Sequence, residues 1–471
     1  MELDPLLLSR VQFAFVVSFH AIFPVFTIGL AAYIATLEGL FYRTSNPVYA
    51  TLSRFWTKVF AVVFGMGVVS GIVMAFQFGS NWSAFSYISA NFLGPVLSYE
   101  VVTAFFLEAT FLGVLLFGRD KVPKGVHLFA ACMVAVGTFI SSFWILSANS
   151  WMQTPAGVEM RDGLLHVTSW AEAIFNPSLW PRFFHMALAS FLTAGFVVAG
   201  VSAWYLLRRR APELNRKALG MTVVLLAIIA PAQLLVGDWH GLNSFEHQPA
   251  KVAAMEGAWE TKEGAPLILF AIPDAANETN HWEVAIPNMA SLILTHDLQG
   301  EVPGLKEWPA EDRPPVGIVF WSFRVMVAIG LLMIAVAAVA LVQRLRGRLF
   351  ESTRLLRVFT WMIPLPFVAV LAGWFVTDIG RQPYIVYGVM RTAEGVTPSL
   401  TGGMALFTLV GFILVYAVIF AAGLYYLVRL IQAGPESLEA APVESEGRPK
   451  RPFSAVGTPL NDNPVTGGER G

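Results

Sequence analysis

This chain of 471 residues carries a single cysteine, Cys132, set inside an apolar run. That excludes an internal disulfide, an iron–sulfur cluster held by the chain's own thiolates alone, and a C-x-x-C-H haem attachment. Charge is scarce as well. Asp, Glu, Lys and Arg make up 13% of the residues, against roughly 25% in an ordinary soluble domain. The net charge of −1 offers no bulk electrostatic case for nucleic acid. The opening MELDPLLLSR has acids before Arg10 and no basic leader, so the first apolar run reads as a retained span, not a cleaved signal peptide.

In place of charge there is hydrophobic surface: 56% of residues are apolar and the mean hydropathy is +0.61. Runs of about 20 apolar residues, the length that crosses a bilayer, occur nine times. Their approximate bounds are 11–40, 55–78, 93–118, 127–150, 182–207, 218–240, 317–343, 358–380 and 402–432. The fold class expected is an all-α integral membrane protein of about nine transmembrane helices. The two halves show no sequence repeat, which weakens an inverted-repeat transporter.

Loop charge predicts the orientation. Arg43, Arg54 and Lys58 lie between or beside the first two spans, and Arg119, Lys121 and Lys124 follow the third. Arg208, Arg209, Arg210, Arg216 and Lys217 follow the fifth, and Arg344, Arg346, Arg348, Arg354 and Arg357 the seventh. Residues 79–92, after the second span, contain no Lys or Arg. Odd-numbered spans therefore end in the cytoplasm, with the N-terminus periplasmic and the C-terminus cytoplasmic. The chain divides into spans one to six within 1–240, a periplasmic loop at 241–316, spans seven to nine within 317–432, and a tail at 433–471. The Pro-, Glu- and Trp-rich loop is long enough to be functional or disordered; the Pro-, Gly- and Glu-rich tail reads as disordered.

Given that orientation, His20, Glu100, His185, Met326 and Asp378 come from five helices and all fall in the outer half of the bundle. Polar and ionisable groups are costly at that depth, so their default reading is functional. His185 in PRFFHMALASF and Met326 in WSFRVMVAIG flank the long loop, each about one turn below the surface. Together they can supply both axial ligands of a low-spin haem, with Arg324 nearby for a propionate. The bland alternative is an interfacial histidine and a gap-filling methionine. His20, alone on an apolar helix, reads as a ligand or as a hydrogen-bonded packing residue.

Glu100 and Glu108, eight apart, fall within about 80° of one another and about 12 Å apart along a regular helix. A carboxylate ladder of this kind suits a proton relay, or else an interhelical hydrogen-bonded pair. In GWFVTDIGRQPY, Asp378 and Arg381 are neighbours on one face, Trp374 lies one turn below, and Pro383 ends the helix. Taken alone this is a helix-end ion pair with an interfacial tryptophan. Pro249 can start a short helix carrying Lys251 and Glu256, which do not share a face; spacing alone reads them as solvated loop charge. His247, His281 and His296 read as surface residues, and Gly65, Gly67 and Gly71 as a close-packing face or, second to that, a haem contact.

With these segments assembled, the chain resembles subunit I of the cytochrome bd quinol oxidases, in particular those with a short quinol-binding loop. The likeness covers about residues 1–432 and rests on RVQFAFVVSFH, FQFGSNWS, YEVVTAFFLEATF, WILSANSWMQTP, AKVAAMEGAWET, FWSFRVMV and GWFVTDIGRQPY. The resemblance implies a terminal respiratory oxidase of the bacterial cytoplasmic membrane, in which quinol is oxidised at the periplasmic face and dioxygen reduced to water. Protons would come from the cytoplasm, giving a proton motive force without pumping.

The resemblance also implies the cofactors and their sites. His185 and Met326 would hold a low-spin haem b, with Arg324 at its propionates. His20 and Asp378 would serve the pair formed by a high-spin haem b and a haem d, or a third haem b, with Trp374 and Arg381 packed against it. Position 378 is usually glutamate in the family; aspartate places its oxygen about 1.5 Å nearer the backbone. Glu100 would sit beside haem d and Glu108 on the proton path, while Ser141 and Asn149 match polar positions on proton or oxygen routes. Lys251 and Glu256 match the quinol pair, which overrides the solvated reading. The implied partners are ubiquinol or menaquinol, dioxygen, the lipid membrane, a second large membrane subunit and a small single-span one. Two competing readings explain fewer residues: a haem b electron-transfer anchor without oxygen chemistry, and a proton-coupled transporter using Glu100 and Glu108.

Overall fold

A computed structural model describes residues 3–435. Residues 436–471, most of the tail expected to be disordered, lie outside the described residues. Among the described residues nine helices are long and apolar enough to cross a membrane: Pro5–Thr44, Pro47–Ser80, Ala90–Phe117, Lys124–Gln153, Trp170–Leu207, Pro212–His247, Ala310–Leu345, Thr353–Ile379 and Gly402–Ala433. The expected helical membrane fold is observed, with most helices running several residues past the apolar runs.

Local sequence sets the ends. Asp4 caps the first span, its side chain accepting from the Leu6 amide, with Pro5 at the first helical position. Asn46 and Pro47 do the same for the second span, so two residues suffice to reverse the chain. The eighth span is two helical pieces, Thr353–Met362 and Leu365–Ile379, broken at Pro364, which lacks an amide hydrogen to continue the ladder.

The first span is central and packs against the second, fourth, fifth, eighth and ninth. Phe26, Leu30, Ile34, Phe55, Trp56, Phe60, Val198 and Tyr205 form its core. In the most apolar stretch of the fifth span 78% of residues are buried, against 17% in the ninth, so the fifth is an interior helix and the ninth a peripheral one.

Links after the even-numbered spans gather at one end. There the Thr397 amide donates to the Asn81 carbonyl (3.0 Å) and the Tyr387 amide to the Met152 carbonyl (2.9 Å). The longest link is shorter than the expected 241–316, because the sixth span runs on to His247 and the seventh begins at Ala310. It is also folded: a helix Pro249–Glu256, an antiparallel hairpin Leu267–Asp274 with Thr279–Ile286, and a helix Met289–Thr295. The links after the odd-numbered spans, holding Arg119, Lys121, Arg208, Arg209, Arg346 and Arg348, lie at the opposite end.

Candidate functional site

His20, His185, Met326 and Asp378 all lie in the parts of their spans that approach the folded loop. His20, on the first span, pairs its Nδ1 with the Ser70 hydroxyl of the second at 2.9 Å. His185, on the fifth, meets the Gln233 amide nitrogen of the sixth at 3.3 Å. Met326, on the seventh, faces the eighth. Each of these three faces a glycine: a Cβ on Gly71 would lie 3.0 Å from the His20 ring, on Gly237 3.4 Å from the His185 ring, and on Gly373 3.1 Å from the Met326 sulfur. Gly71, read as a helix-packing residue ahead of a haem contact, also leaves room beside an imidazole.

Asp378 closes the eighth span, where one oxygen accepts from Asn149 Nδ2 (3.2 Å) and Gln153 Nε2 (3.4 Å) of the fourth. Arg381 approaches the same oxygen at 3.5 Å. The helix stops at Ile379, so Arg381 is placed by the turn beyond it and not by helical spacing, as the sequence had suggested. Three buried cations, Arg182, Lys251 and Arg381, surround this one carboxylate. Several buried donors here have no partner among the described residues: Arg182 Nε, Arg381 Nε and Nη1, and Trp374 Nε1. Buried cations in excess, with idle donors, fit an anionic ligand with carboxylates.

Lys251 and Glu256 are not solvated. The helix Pro249–Glu256 is wedged against the sixth and seventh spans beneath the loop, and both side chains are buried. Lys251 Nζ donates to Gln153 Oε1 at 2.6 Å, joining the Asp378 group. Glu256 turns the other way and pairs with Arg324 at 3.1 Å. Burial, then the Arg182 and Arg381 charges, hold the Lys251 ammonium well below the usual lysine range, with Asp378 opposing. Burial pushes the Glu256 carboxyl up, against the pull of Arg324. Arg324 also donates to the carbonyls of Met255 and Ile268, so its donors tie the seventh span to the loop. Glu256 opens on a cleft of about 420 Å³ lined by Trp259, Ile268, Asn280 and Lys306 among others.

Glu100 and Glu108 both face the fourth span. Ser141 donates to Glu100 at 2.7 Å, and Gly137, one turn away, makes room for the Glu108 side chain. The helix between the two acids is not regular: Val101–Phe105 is a π-helical turn. Its extra residue reduces the angle between them from about 80° to about 20°. The two acids are therefore better aligned than regular spacing implies.

Sequence reasoning missed Arg182, Gln153, Gln233 and His240, whose ring lies 5.4 Å from that of His185. An arginine and a histidine within apolar runs were the available signal.

The sequence model of the family described as cytochrome bd terminal oxidase subunit I matches residues 8–435. The chain belongs to that family. It is 36% identical to the cytochrome bd ubiquinol oxidase subunit 1 of Bacillus subtilis, over 92% of this chain and 95% of the relative. It is 33% identical to the cytochrome bd-II ubiquinol oxidase subunit 1 of Escherichia coli, over 94% of this chain and 100% of the relative. A chain of the solved bd oxidase of Geobacillus thermodenitrificans superposes with a TM-score of 0.86 at 33% identity, covering 92% of this chain and 100% of that one. Membership of a terminal oxidase family sets aside the transporter and the electron-transfer anchor without oxygen chemistry. As a bd-type subunit I with nine span candidates, the chain is a multi-pass protein of the bacterial cytoplasmic membrane. The family is haem-containing, and the glycine-faced His20, His185 and Met326 and the idle donors around Asp378 fit that cofactor.

Proposed function

We propose that this subunit oxidises a quinol beside its folded loop and supports reduction of dioxygen to water deeper in the same end of the bundle. The observation that carries this reading is the convergence of His20, His185, Met326 and Asp378, from four spans, beneath a loop that buries Lys251 and Glu256. His185 and Met326 would hold a low-spin haem b; His20 and Asp378 would hold a haem pair, a high-spin haem b with a haem d or a third haem b. When bound, these groups carry electrons from the quinol to dioxygen and reduce it.

The chain's own residues handle orientation and protons. The cleft beside Glu256 has the volume of a small-ligand site. Glu256, its carboxyl raised by burial, is suited to accept a hydroxyl proton from the quinol near neutral pH. Lys251, reaching Gln153 and the Asp378 group, approaches the ring from the opposite side. Arg182, Arg381 and Trp374 supply donors for haem carboxylates. Asn149 and Gln153 hold Asp378 in position.

The basic links at the opposite end favour a cytoplasmic side for that end and a periplasmic side for the loop. Protons leave at the loop and are drawn past Glu108 and Glu100 from the other side, so turnover separates charge without a pump. Glu100 is only half-buried on a third span whose Tyr99, Val101 and Val102 are exposed. That uncovered face suits a second large membrane subunit, with a small single-span subunit as a further partner. Glu256→Gln is expected to lower quinol-driven oxygen uptake about a hundredfold with the haem spectrum intact. Unchanged uptake would remove Glu256 from the quinol site.

A further inference from the structure

A second polar cluster lies at the opposite, basic end of the bundle, and nothing in the reaction described so far uses it. Glu38 of the first span, 2% exposed, accepts from Ser53 of the second and pairs with Arg119 of the link after the third. Its other oxygen meets His127 Nδ1 of the fourth span at 3.0 Å, and His127 Nε2 faces the Leu115 carbonyl at 3.3 Å. Both ring nitrogens thus face acceptors. A doubly protonated ring satisfies both and a singly protonated ring only one. Only Arg119 of this group reaches towards the surface, with 14% of its side chain exposed.

The cluster stands directly below the proton-path acids. Leu115 is seven residues beyond Glu108 on the same helix, which puts the His127 contact about 10 Å below Glu108 and within about 20° of the same face. The intervening stretch of the fourth span is apolar, LFAACMVAV, and gives no side-chain bridge. Two buried hydroxyls do occur at intermediate depth. Tyr33 lies five residues from Glu38 towards His20, and Thr57 lies one turn beyond Ser53 in the same direction. Tyr33 Oη, Thr57 Oγ1 and Glu108 Oε1 are all buried atoms without a partner among the described residues. Buried hydroxyls are normally satisfied, and water bridges are the ordinary way to satisfy such a set.

We infer that the Glu38–His127 pair, gated by Arg119, is the intake through which protons from the basic end reach Glu108. They would pass over a short water chain held by Tyr33 and Thr57. This rests on the proposed role of Glu108 as the acid that receives those protons. Each transfer brings one proton from solvent onto the Glu38–His127 pair and sends one from the pair along the water chain to the Glu108 carboxylate, so the pair ends as it began and no other bond is made or broken. Glu38 and His127 act through Glu108 and touch no reacting atom, so a purely structural lock joining three spans is the rival explanation.

The test measures purified, haem-loaded complexes carrying His127→Gln, the double variant Tyr33→Phe/Thr57→Val, and Glu108→Gln. The readouts are steady-state kcat and KM for quinol, the solvent deuterium isotope effect, the haem spectrum and thermal stability. His127→Gln is expected to lower kcat about tenfold or more and enlarge the isotope effect, with KM and spectrum unchanged. The double variant, nearly isosteric, is expected to do the same to a smaller degree without loss of stability. Normal kcat and isotope effect in the double variant overturn the intake even if His127→Gln fails to fold. A slow Glu108→Gln beside normal intake variants confines the failure to this inference. A fully active Glu108→Gln instead removes the proton path on which it stands.

Discussion

In the proposed function the chemistry turns on single residues, Glu256 and Met326 among them. Glu256 is held above the ordinary carboxyl range by burial, with Arg324 opposing. A group that accepts the quinol proton must first be ionised, so kcat/KM for quinol should rise as pH increases through that raised value. Glu256→Gln should flatten this acid limb, and a persistent limb in the variant would assign it to another group. The same shift has a stability sign. The neutral carboxyl is favoured in the fold, so its contribution is present at low pH and is lost as pH rises through the raised value. At Met326 the thioether faces the space left by Gly373. Met326→Leu conserves volume, so the fold should change by less than about 1.5 kcal/mol while the low-spin haem signal disappears. An unchanged spectrum would refute the ligand. Met326 and His185 were legible in the sequence because polar atoms inside apolar runs stand out. The burial of Lys251 and Glu256 was not, since spacing within one short helix does not show what lies across it. Arg182 and Gln153 were passed over because only the fold brings them to Asp378, Gln153 by a hydrogen bond and Arg182 through its charge.

At the scale of elements, the third span matters most. Its π turn, Val101–Phe105, places Glu100 opposite Ser141 and Glu108 opposite Gly137, one turn apart on the fourth span. Regular helical spacing puts both acids on the right general face but cannot show the inserted residue, because VVTAF has no composition distinctive of π geometry. A methyl group at position 137 would lie 2.6 Å from the Glu108 Cγ, too close without displacement. Gly137→Ala is therefore expected to slow turnover several-fold, about 1 kcal/mol in barrier, with the low-spin haem spectrum unchanged. Wild-type turnover would mean that the exact placement of Glu108 does not limit proton delivery. The folded loop was also beyond the sequence reading. Its length and Pro-rich composition suggested function or disorder, whereas the hairpin Leu267–Asp274 with Thr279–Ile286 and the Arg324 contacts give it structure.

For the whole molecule, nine apolar runs made the membrane bundle legible, because span length is fixed by bilayer thickness and needs no tertiary information. The side-by-side order of the spans, with the first at the centre and the ninth outside, could not be read that way. The proposed function requires opposite ends of this bundle to release and take up protons. Reconstituted in vesicles with the loop outward, the complex should acidify the exterior and alkalinise the lumen during quinol oxidation. Release and uptake on the same side would contradict the separation of the two proton routes. The central claim is that side chains from separate spans meet to hold several haems at one end of the bundle. The most direct measurement is haem extraction with a reduced-minus-oxidised spectrum of the purified complex, before and after adding dioxygen. The expected result is three haems per copy of this chain, one low-spin b-type and a pair that dioxygen reoxidises. A preparation that is intact yet haem-free, or that holds a single low-spin haem inert to dioxygen, would contradict it.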